Sequence, residues 1–246
     1  MEEAIVDIET SDGKMETFIT HPDEGGPFPV IVMYMDAPGI REELYDFARR
    51  VGTVGYYCML PDLYYRAGRI RYDRASMTQT EREQMGARWR AMTNAMVLDD
   101  TRGMLRYLES DGKARGGPKG NVGYCMSGQW VLSAAGTVPE EFRATVAVHG
   151  VKHITDEPDS PHLLADRFQG EVYCAYAEHD SHIPSGEVEA LEKAFGTSPA
   201  RCRVEVFGGT DHGYVFPERD GIFVKHAAET TWERSFGMYK RQVMDG

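Results

Sequence analysis

The sequence predicts an α/β fold, in which a mostly parallel central sheet carries helices on both faces. Short apolar runs rich in β-branched and aromatic residues alternate with amphipathic windows, as they do in chains built from β-α-β units. The run at 30–35 is apolar throughout, which is typical of a strand buried on both faces. No linker-like segment interrupts the 246 residues. We therefore expect a single domain over 1–246.

The first half of the chain should begin with a β-hairpin, because two strand-like stretches flank the turn-forming dipeptide Asp12-Gly13. Four strands are predicted in this half, at 4–10, 15–20, 30–35 and 56–60. An amphipathic helix is expected around Leu44 to Val51, where apolar residues recur at helical spacing. A longer helical stretch runs from about 80 to 109, with an interruption near Thr93.

The second half repeats the alternation of strands and helices. Strands are predicted at 119–124, 145–148, 171–176 and 203–207. Helices are predicted directly after Cys125, at 185–196 and at 223–243. Ligands of such sheets bind at the carboxyl ends of the strands, so the polar residues that follow each strand are the candidates for chemistry.

Composition excludes several function classes. The net charge of −12 and the pI near 5.1 argue against a nucleic-acid partner, which requires a basic face. No apolar run approaches the length of about 20 residues that spans a membrane. The acidic start at 1–4 lacks the basic and apolar regions of a signal peptide, so a cytoplasmic location is expected. Three of the four cysteines, Cys58, Cys174 and Cys202, lie in apolar runs and are expected to be buried thiols.

The fourth cysteine lies in a different setting. Gly123-x-Cys125-x-Ser127-Gly128 stands between a predicted strand and a predicted helix, which is the context of a nucleophile elbow. Such a turn needs small residues around the nucleophile, and Gly123, Ser127 and Gly128 meet that need. The turn also places Cys125 at the amino end of a helix, where the helix dipole favours a thiolate.

Two later strand ends offer partners for Cys125 in the order nucleophile, acid, histidine. Asp180 follows the strand at 171–176, and His212 follows the last strand. Glu178 is an alternative acid, whereas Asp211 is disfavoured because it is adjacent to His212 in sequence. The rival bases are His149, His153, His179, His182 and His226.

Oxyanion stabilisation needs two backbone donors. We expect the N–H groups of Met126, directly after the nucleophile, and of Ala37, after the strand at 30–35. The pairs His179-x-x-His182 and His149-x-x-x-His153 could suggest a metal, but no Cys or carboxylate cluster stands at ligand spacing around them. No metal and no cofactor are therefore expected.

Over most of its length, from about 30 to 244, the chain resembles the dienelactone hydrolase family of α/β-hydrolases. Gly-Tyr-Cys-Met-Ser-Gly at 123–128 is close to the family's Gly-Tyr-Cys-Leu-Gly-Gly. The supporting matches are the run 61–64, the Asp180 loop with Pro184, the Gly-Thr-Asp-His-Gly run around His212, and Arg82-Glu83-Gln84 followed by Trp89. The resemblance implies a single α/β-hydrolase domain.

The resemblance also implies roles. Cys125, Asp180 and His212 would form the catalytic triad. Arg82 would stand in the place of an arginine that binds a substrate carboxylate, and Trp89 would belong to the substrate site. Asp36 stands where founding members carry a glutamate that contacts the thiol. Phe216 replaces a second substrate-binding arginine, with Arg219 nearby but out of register, and His149 replaces a pocket tyrosine. These three residues are departures from the founding members.

The expected function is hydrolysis of a small carboxylic ester or lactone through a thioacyl-enzyme, with a substrate carboxylate near Arg82. Alternatives are a general carboxylesterase on the same fold and a non-catalytic ligand-binding protein. A protease-like or amidotransferase-like protein is disfavoured, because those place a carboxylate two residues after the histidine, where this chain has Tyr214. The expected partner is the small-molecule substrate alone, without nucleic acid or membrane, and the expected state is a monomer or homodimer.

Overall fold

The computed structural model describes residues 1–73 and 76–246. Its residues cluster into two compact units, Met1–Gly117 and Pro118–Gly246. Whether the chain is one domain over 1–246 stays a prediction. Within the described residues, no helix is both long and apolar enough to cross a membrane.

Unit 1 contains four strands in the spatial order β1-β2-β4-β3. Their bounds are β1 Glu2–Thr10, β2 Gly13–His21, β3 Val30–Tyr34 and β4 Tyr57–Pro61. The first two form an antiparallel hairpin in which Thr10 faces Gly13, so the predicted hairpin at Asp12-Gly13 is confirmed. Strand β2 is antiparallel to β4, and β3 is parallel to β4. Both β3 and β4 are buried throughout, as the apolar runs predicted.

The helices of unit 1 are α1 Glu42–Thr53, α2 Gln79–Ala91 and α3 Asn94–Ser110. Helix α1 buries the apolar face predicted from the spacing, including Leu44 and Val51. Helix α2 begins with a capping box between Thr78 and Glu81 and has no buried residue. The interruption predicted near Thr93 is confirmed. It arises because the Thr93 hydroxyl accepts the N–H of Met96 and so caps a new helix.

Unit 2 contains four strands in the order β5-β6-β7-β8, all parallel. Their bounds are β5 Lys119–Tyr124, β6 Phe142–Val148, β7 Glu171–His179 and β8 Arg201–Asp211. The helices are α4 Gly128–Thr137, α5 Glu187–Phe195 and α6 Lys225–Tyr239. Helix α4 is the most deeply buried of these, because every residue from Gly128 to Gly136 is buried. Its first turn therefore has a fixed position.

Strands β7 and β8 extend further than their sequences predict. The two strands keep pairing past an irregularity near Ala177, so that His179 lies opposite Asp211. Glu178 and the pair Gly208-Gly209 interrupt the apolar pattern, which made both strands look shorter. As a consequence, Asp180 and His212 each directly follow one of two paired strand ends.

Candidate active site

Cys125 directly follows β5 and begins a single 3-10 turn, Cys125–Ser127, that leads into α4. Its φ angle of 53° lies in the left-handed region, which is unfavourable for a residue with a side chain and is tolerated where surrounding structure enforces it. The residue is 9% exposed. The backbone carbonyl of Cys125 accepts the N–H of Val151, from the segment after β6, at 3.0 Å. The structure thus places Cys125 on a sharp strand-to-helix turn.

Two glycines allow this turn. A Cβ atom on Gly123 would lie 2.6 Å from the carbonyl oxygen of Ser127. A Cβ atom on Gly128 would lie 2.4 Å from the Cα atom of Gly150 and 2.6 Å from Nε2 of His153. Both distances are far below van der Waals contact, so close packing requires glycine at 123 and 128, two of the three small residues predicted around Cys125.

Asp180 and His212 are brought together by the paired ends of β7 and β8. The Nδ1 atom of His212 lies 2.6 Å from Oδ2 of Asp180. The Nε2 atom of His212 is buried and has no hydrogen-bond partner in the described part of the chain. This arrangement leaves Nε2 as the nitrogen for proton transfer, with the ring oriented through Nδ1.

The electrostatic setting favours an ionised Asp180. Burial opposes the charge, but the hydrogen bond and charge interaction with His212, followed by hydrogen bonds from His182, lower the pKa of Asp180 below its ordinary value. The backbone N–H of His182 donates to Oδ1 of Asp180 at 3.0 Å, and the Nδ1 atom of His182 lies 3.2 Å from the same oxygen. Asp180 therefore has partners on both carboxylate oxygens.

The alternative acids have other partners or positions. Glu178 accepts the backbone N–H of Gly209 at 2.6 Å and lies 3.5 Å from Nε2 of His179. Asp211 is exposed. Of the rival bases, His226 is exposed and the side chain of His179 is 65% exposed. The rings of His149 and His182 lie 4.7 and 4.5 Å from that of His212, whereas His153 contacts Tyr176.

His149 follows β6 directly and belongs to an aromatic cluster around His212. Its φ angle is 37°, it is fully buried, and neither ring nitrogen has a hydrogen-bond partner among the described residues. Its ring centroid lies 4.7 Å from that of His212 and 5.5 Å from that of Phe216. Burial, followed by the neighbouring His212 and Arg219, lowers the pKa of His149 well below its usual range. His149 is therefore a neutral imidazole at physiological pH.

Phe216 is fully buried in the same aromatic cluster, with its ring 5.6 Å from that of Tyr124. The guanidinium of Arg219 lies 4.3 Å from the centroid of the Phe216 ring. A Cβ atom at Gly213 would collide with this guanidinium at 1.8 Å. Arg219, which is out of register in the sequence, thus places its guanidinium close to Phe216.

The sequence model of the dienelactone hydrolase family matches residues 15–243. The chain belongs to the dienelactone hydrolase family. It is accordingly a hydrolase that acts on esters or lactones.

Individual relatives are similar over nearly the whole chain. A protein of Methylorubrum extorquens named "Putative carboxymethylenebutenolidase" is 25% identical over 93% of this chain and 77% of its own length. The carboxymethylenebutenolidase of Rhodococcus opacus is 21% identical over 90% of this chain and 84% of its own. A crystal structure from Klebsiella pneumoniae, described as a "Putative Dienelactone Hydrolase", has a TM-score of 0.84 at 22% identity and covers 97% of this chain and 98% of its own. The fold is the α/β-hydrolase fold, with its mostly parallel sheet.

In this member of the family, the site residues expected from unit 1 each have a separate set of neighbours. Asp36 is fully buried and forms a two-pronged ion pair with Arg41, at 2.5 and 3.1 Å. Arg41 also donates to Glu43 at 2.7 Å. Burial opposes the charge of Arg41, but Asp36 and Glu43 together raise its pKa. The negative charge of Asp36 is therefore balanced locally, a pairing for which the sequence offers no signal.

The remaining expected residues of unit 1 lie in two places. Ala37 is 8% exposed, and its carbonyl accepts the hydroxyl of Tyr64 at 2.8 Å, which fixes the loop after β3. Arg82 and Trp89 both lie on α2, where Arg82 is exposed and Trp89 is half-buried. Their roles in substrate binding remain predictions.

One buried polar cluster of this protein could not be predicted from the sequence. The Nδ1 atom of His153 and the hydroxyl of Tyr176 form a short hydrogen bond, and the same hydroxyl donates weakly to Oε1 of Glu187 at 3.5 Å. Burial lowers the pKa of His153 to about 3 and raises that of Glu187 to about 7. Tyr176 and Glu187 stand on either side of the Asp180 loop in sequence, so their contact closes that loop at its base.

Proposed function

We propose that this protein hydrolyses a small carboxylic ester or lactone with Cys125 as nucleophile, His212 as general base and acid, and Asp180 as the group that orients His212. The observation that carries the proposal is the 2.6 Å contact between His212 Nδ1 and Asp180 Oδ2, combined with the sharp turn that presents Cys125 at φ 53°. A base held by a carboxylate, with its other nitrogen left for the nucleophile, is the arrangement that acyl transfer requires.

The reaction has two acyl-transfer steps. The Sγ–H proton of Cys125 passes to Nε2 of His212, and the thiolate adds to the substrate carbonyl carbon. The C–O bond then breaks, the leaving oxygen takes the proton from His212, and a thioester remains on Cys125; with a lactone, the new hydroxyl stays attached to the acyl group. Water, losing its proton to His212, attacks the thioester and expels the thiolate, so that the free acid and the resting enzyme are restored.

The oxyanion formed in each step requires backbone donors. The N–H of Met126 is proposed as one, because it directly follows the nucleophile. The N–H of Ala37 is proposed as the second on the basis of its position after β3. Separately, the cytoplasmic location expected from the sequence stays a prediction.

Cys125 can be tested with an activated ester such as 4-nitrophenyl acetate. The wild-type protein should give a burst of nitrophenolate and an acetyl adduct on Cys125 by intact-mass and peptide mass spectrometry. Cys125→Ala should abolish both, with a loss of about 10³-fold or more in kcat/KM. Cys202→Ala, which removes the half-buried thiol, is the matched control and should retain full activity. Full turnover by Cys125→Ala would refute the proposal.

The substrate class can be tested at Arg82. If this guanidinium binds a substrate carboxylate, Arg82→Ala should lower kcat/KM for an acidic ester about 10-fold or more and leave a neutral ester unchanged. Arg90→Ala, an exposed arginine on the same helix, should change neither value. Equal effects of Arg82→Ala on both esters would eliminate the carboxylate-binding role.

A general carboxylesterase is the second candidate, and one observation favours it. The surroundings of His212 in unit 2 are aromatic, with Phe216 buried and His149 neutral, which suits an uncharged acyl group. A wild-type protein that prefers neutral esters over acidic ones of the same length would select this candidate, with the Cys125 chemistry unchanged.

A further inference from the structure

Three side chains around the Asp180 carboxylate form a cluster of metal-ligand type. The Nδ1 atom of His212 lies 2.6 Å from Oδ2 of Asp180, and the Nδ1 atom of His182 lies 3.2 Å from Oδ1. The two imidazole rings are 4.5 Å apart. One ligand atom from each residue lies within 4.8 Å of the other two, and no other group of three such residues was found in 1–73 and 76–246.

The local backbone explains why His182 belongs to this cluster. The N–H of His182 donates to Oδ1 of Asp180, and the N–H of Ile183 donates to the Asp180 carbonyl at 3.2 Å. This side-chain-to-backbone turn folds the loop back over the carboxylate and carries the His182 ring with it. His212 arrives independently, from the end of β8. The proposed hydrolysis uses Asp180 and His212 but assigns nothing to His182.

We propose that Asp180, His182 and His212 form a binding site for a divalent transition metal, Zn²⁺ or Cu²⁺, and that metal binding there inhibits the enzyme. Two imidazoles and one carboxylate are a ligand set that suits these ions. The sequence led us to expect no metal, because only the pairs His-x-x-His and His-x-x-x-His were considered. The two histidines of this cluster follow different strands and belong to neither pair as a unit.

The geometry needs only a small adjustment. Ligands at about 2.0–2.2 Å from a tetrahedral Zn²⁺ lie about 3.3 Å from one another, close to the 3.2 Å already present between His182 and Asp180. The widest separation, which is within 4.8 Å, must close by at most about 1.5 Å, and the 2.6 Å contact between His212 and Asp180 must open by about 0.7 Å. The side chain of His182 is 50% exposed, so its ring can move and an ion can enter from solvent. Solvent water would complete the coordination.

Inhibition follows from the atom that the metal takes. Coordination by Nδ1 of His212 displaces the proton that this nitrogen shares with Asp180, and it ties the ring to the ion. The ring can then no longer serve as a base oriented by the carboxylate. This consequence rests on the proposed function, whereas the binding itself does not.

Binding is tested on Cys125→Ala, so that the thiol cannot hold the ion and catalysis is not required. Chelator-treated protein is titrated with ZnCl₂ against a chromophoric chelator, and Cu²⁺ binding is followed by electron paramagnetic resonance. We expect one ion per chain and nitrogen couplings from two imidazoles. Adding His182→Ala should weaken affinity about 10-fold or more, while adding His179→Ala, the exposed histidine before Asp180, should not.

The two parts of the inference fail in different ways. Equal affinity with and without His182, or no binding of either ion up to millimolar concentration, would overturn the site. Binding that requires Cys125 would move the ion to the thiol and overturn it as well. For the inhibition, Zn²⁺ should reduce ester hydrolysis by the wild type and by His179→Ala but much less by His182→Ala, with recovery on adding EDTA. Binding without inhibition would overturn only the second part.

Discussion

Glu187 is a buried acid with no cationic partner among the described residues. It is the first residue of α5 and is 5% exposed. Its Oε1 atom lies 3.5 Å from the hydroxyl of Tyr176 and 3.8 Å from Nδ1 of the neutral His153. Burial, partly offset by hydrogen bonds from the Tyr176 hydroxyl and the His153 backbone, raises its pKa from 4.5 to about 7. The folded protein therefore retains a proton on Glu187 that the unfolded chain releases.

This buried acid predicts a pH-dependent stability. Because the pKa is higher in the folded state, its contribution is fully present below pH 4.5 and is lost as the pH rises to about 7. Glu187→Gln, which mimics the protonated form, should be more stable than the wild type above pH 7, by an amount on the order of 2–3 kcal/mol, and equal to it near pH 4.5. The exposed Glu189→Gln on the same helix turn is the control. Urea unfolding at four pH values gives the comparison, and a difference that does not vary with pH would contradict it.

His149 combines an unfavourable backbone conformation with a position beside the candidate site. It has a positive φ angle although it is not glycine, and its neutral ring packs edge-on against His212. Residues in such conformations concentrate at functional sites. Among the described residues, three that are not glycine have a positive φ angle: Cys125, His149 and Lys152. All three lie in the segments that directly follow β5 and β6.

At the scale of the element, the turn from β5 to α4 depends on contact between two backbones. Gly128 begins α4 and lies against Gly150, from the segment after β6, with the His153 ring beside both. Since α4 is buried over its whole first two turns, it cannot move away to make room. Any side chain at Gly128 must displace either the helix or the segment after β6.

Gly128→Ala should therefore destabilise the protein by about 2–3 kcal/mol or more, as expected for forcing extra volume into a packed interior. Activity should fall even under folding conditions, because the displaced helix start carries Cys125 with it. Gly112→Ala, at a position where a Cβ atom meets nothing within 4 Å, should leave both properties unchanged. Thermal unfolding and ester hydrolysis measured on the same samples test this, and a neutral Gly128→Ala would show that the close contact is not maintained.

Element prediction succeeded where local signals were strong. The β1-β2 hairpin follows from Asp12-Gly13 between alternating strands, and the break between α2 and α3 follows from the cap at Thr93. Prediction of strand ends failed where pairing with the neighbouring strand, and not composition, decides where a strand ends. Strands β7 and β8 continue to His179 and Asp211 because each supports the other. The 3-10 segment Pro161–Arg167 was not predicted, because it has neither the length nor the periodicity of a helix.

At the scale of the whole molecule, charge is the property read most directly from sequence. The net charge is −12 at pH 7 and the pI is near 5.1, so self-repulsion keeps chains apart at neutral pH and vanishes near pH 5. We expect a solubility minimum close to pH 5 at low ionic strength. Light scattering between pH 4 and 8 measures it, and a maximum of scattering at neutral pH would contradict the expectation.

The candidate site could be assembled from sequence only in part. Asp180 and His212 could be named because acid and histidine follow successive strands in a fixed order, and the structure brings them to 2.6 Å. The partners that tune the site could not be named. The pairing of Asp36 with Arg41, and the contact of Glu187 with Tyr176 and His153, depend on how side chains converge in three dimensions. Such convergence leaves no spacing pattern in a single sequence.

Two buried thiols can report on local unfolding of the strands that contain them. Cys58 in β4 and Cys174 in β7 are fully inaccessible, one in each compact unit, and burial also raises the pKa of both. A thiol reagent should therefore modify them only when the surrounding strands separate. Following the two cysteine-containing peptides by mass spectrometry over time would give a separate rate of opening for each unit, without substrate, dye or engineered label.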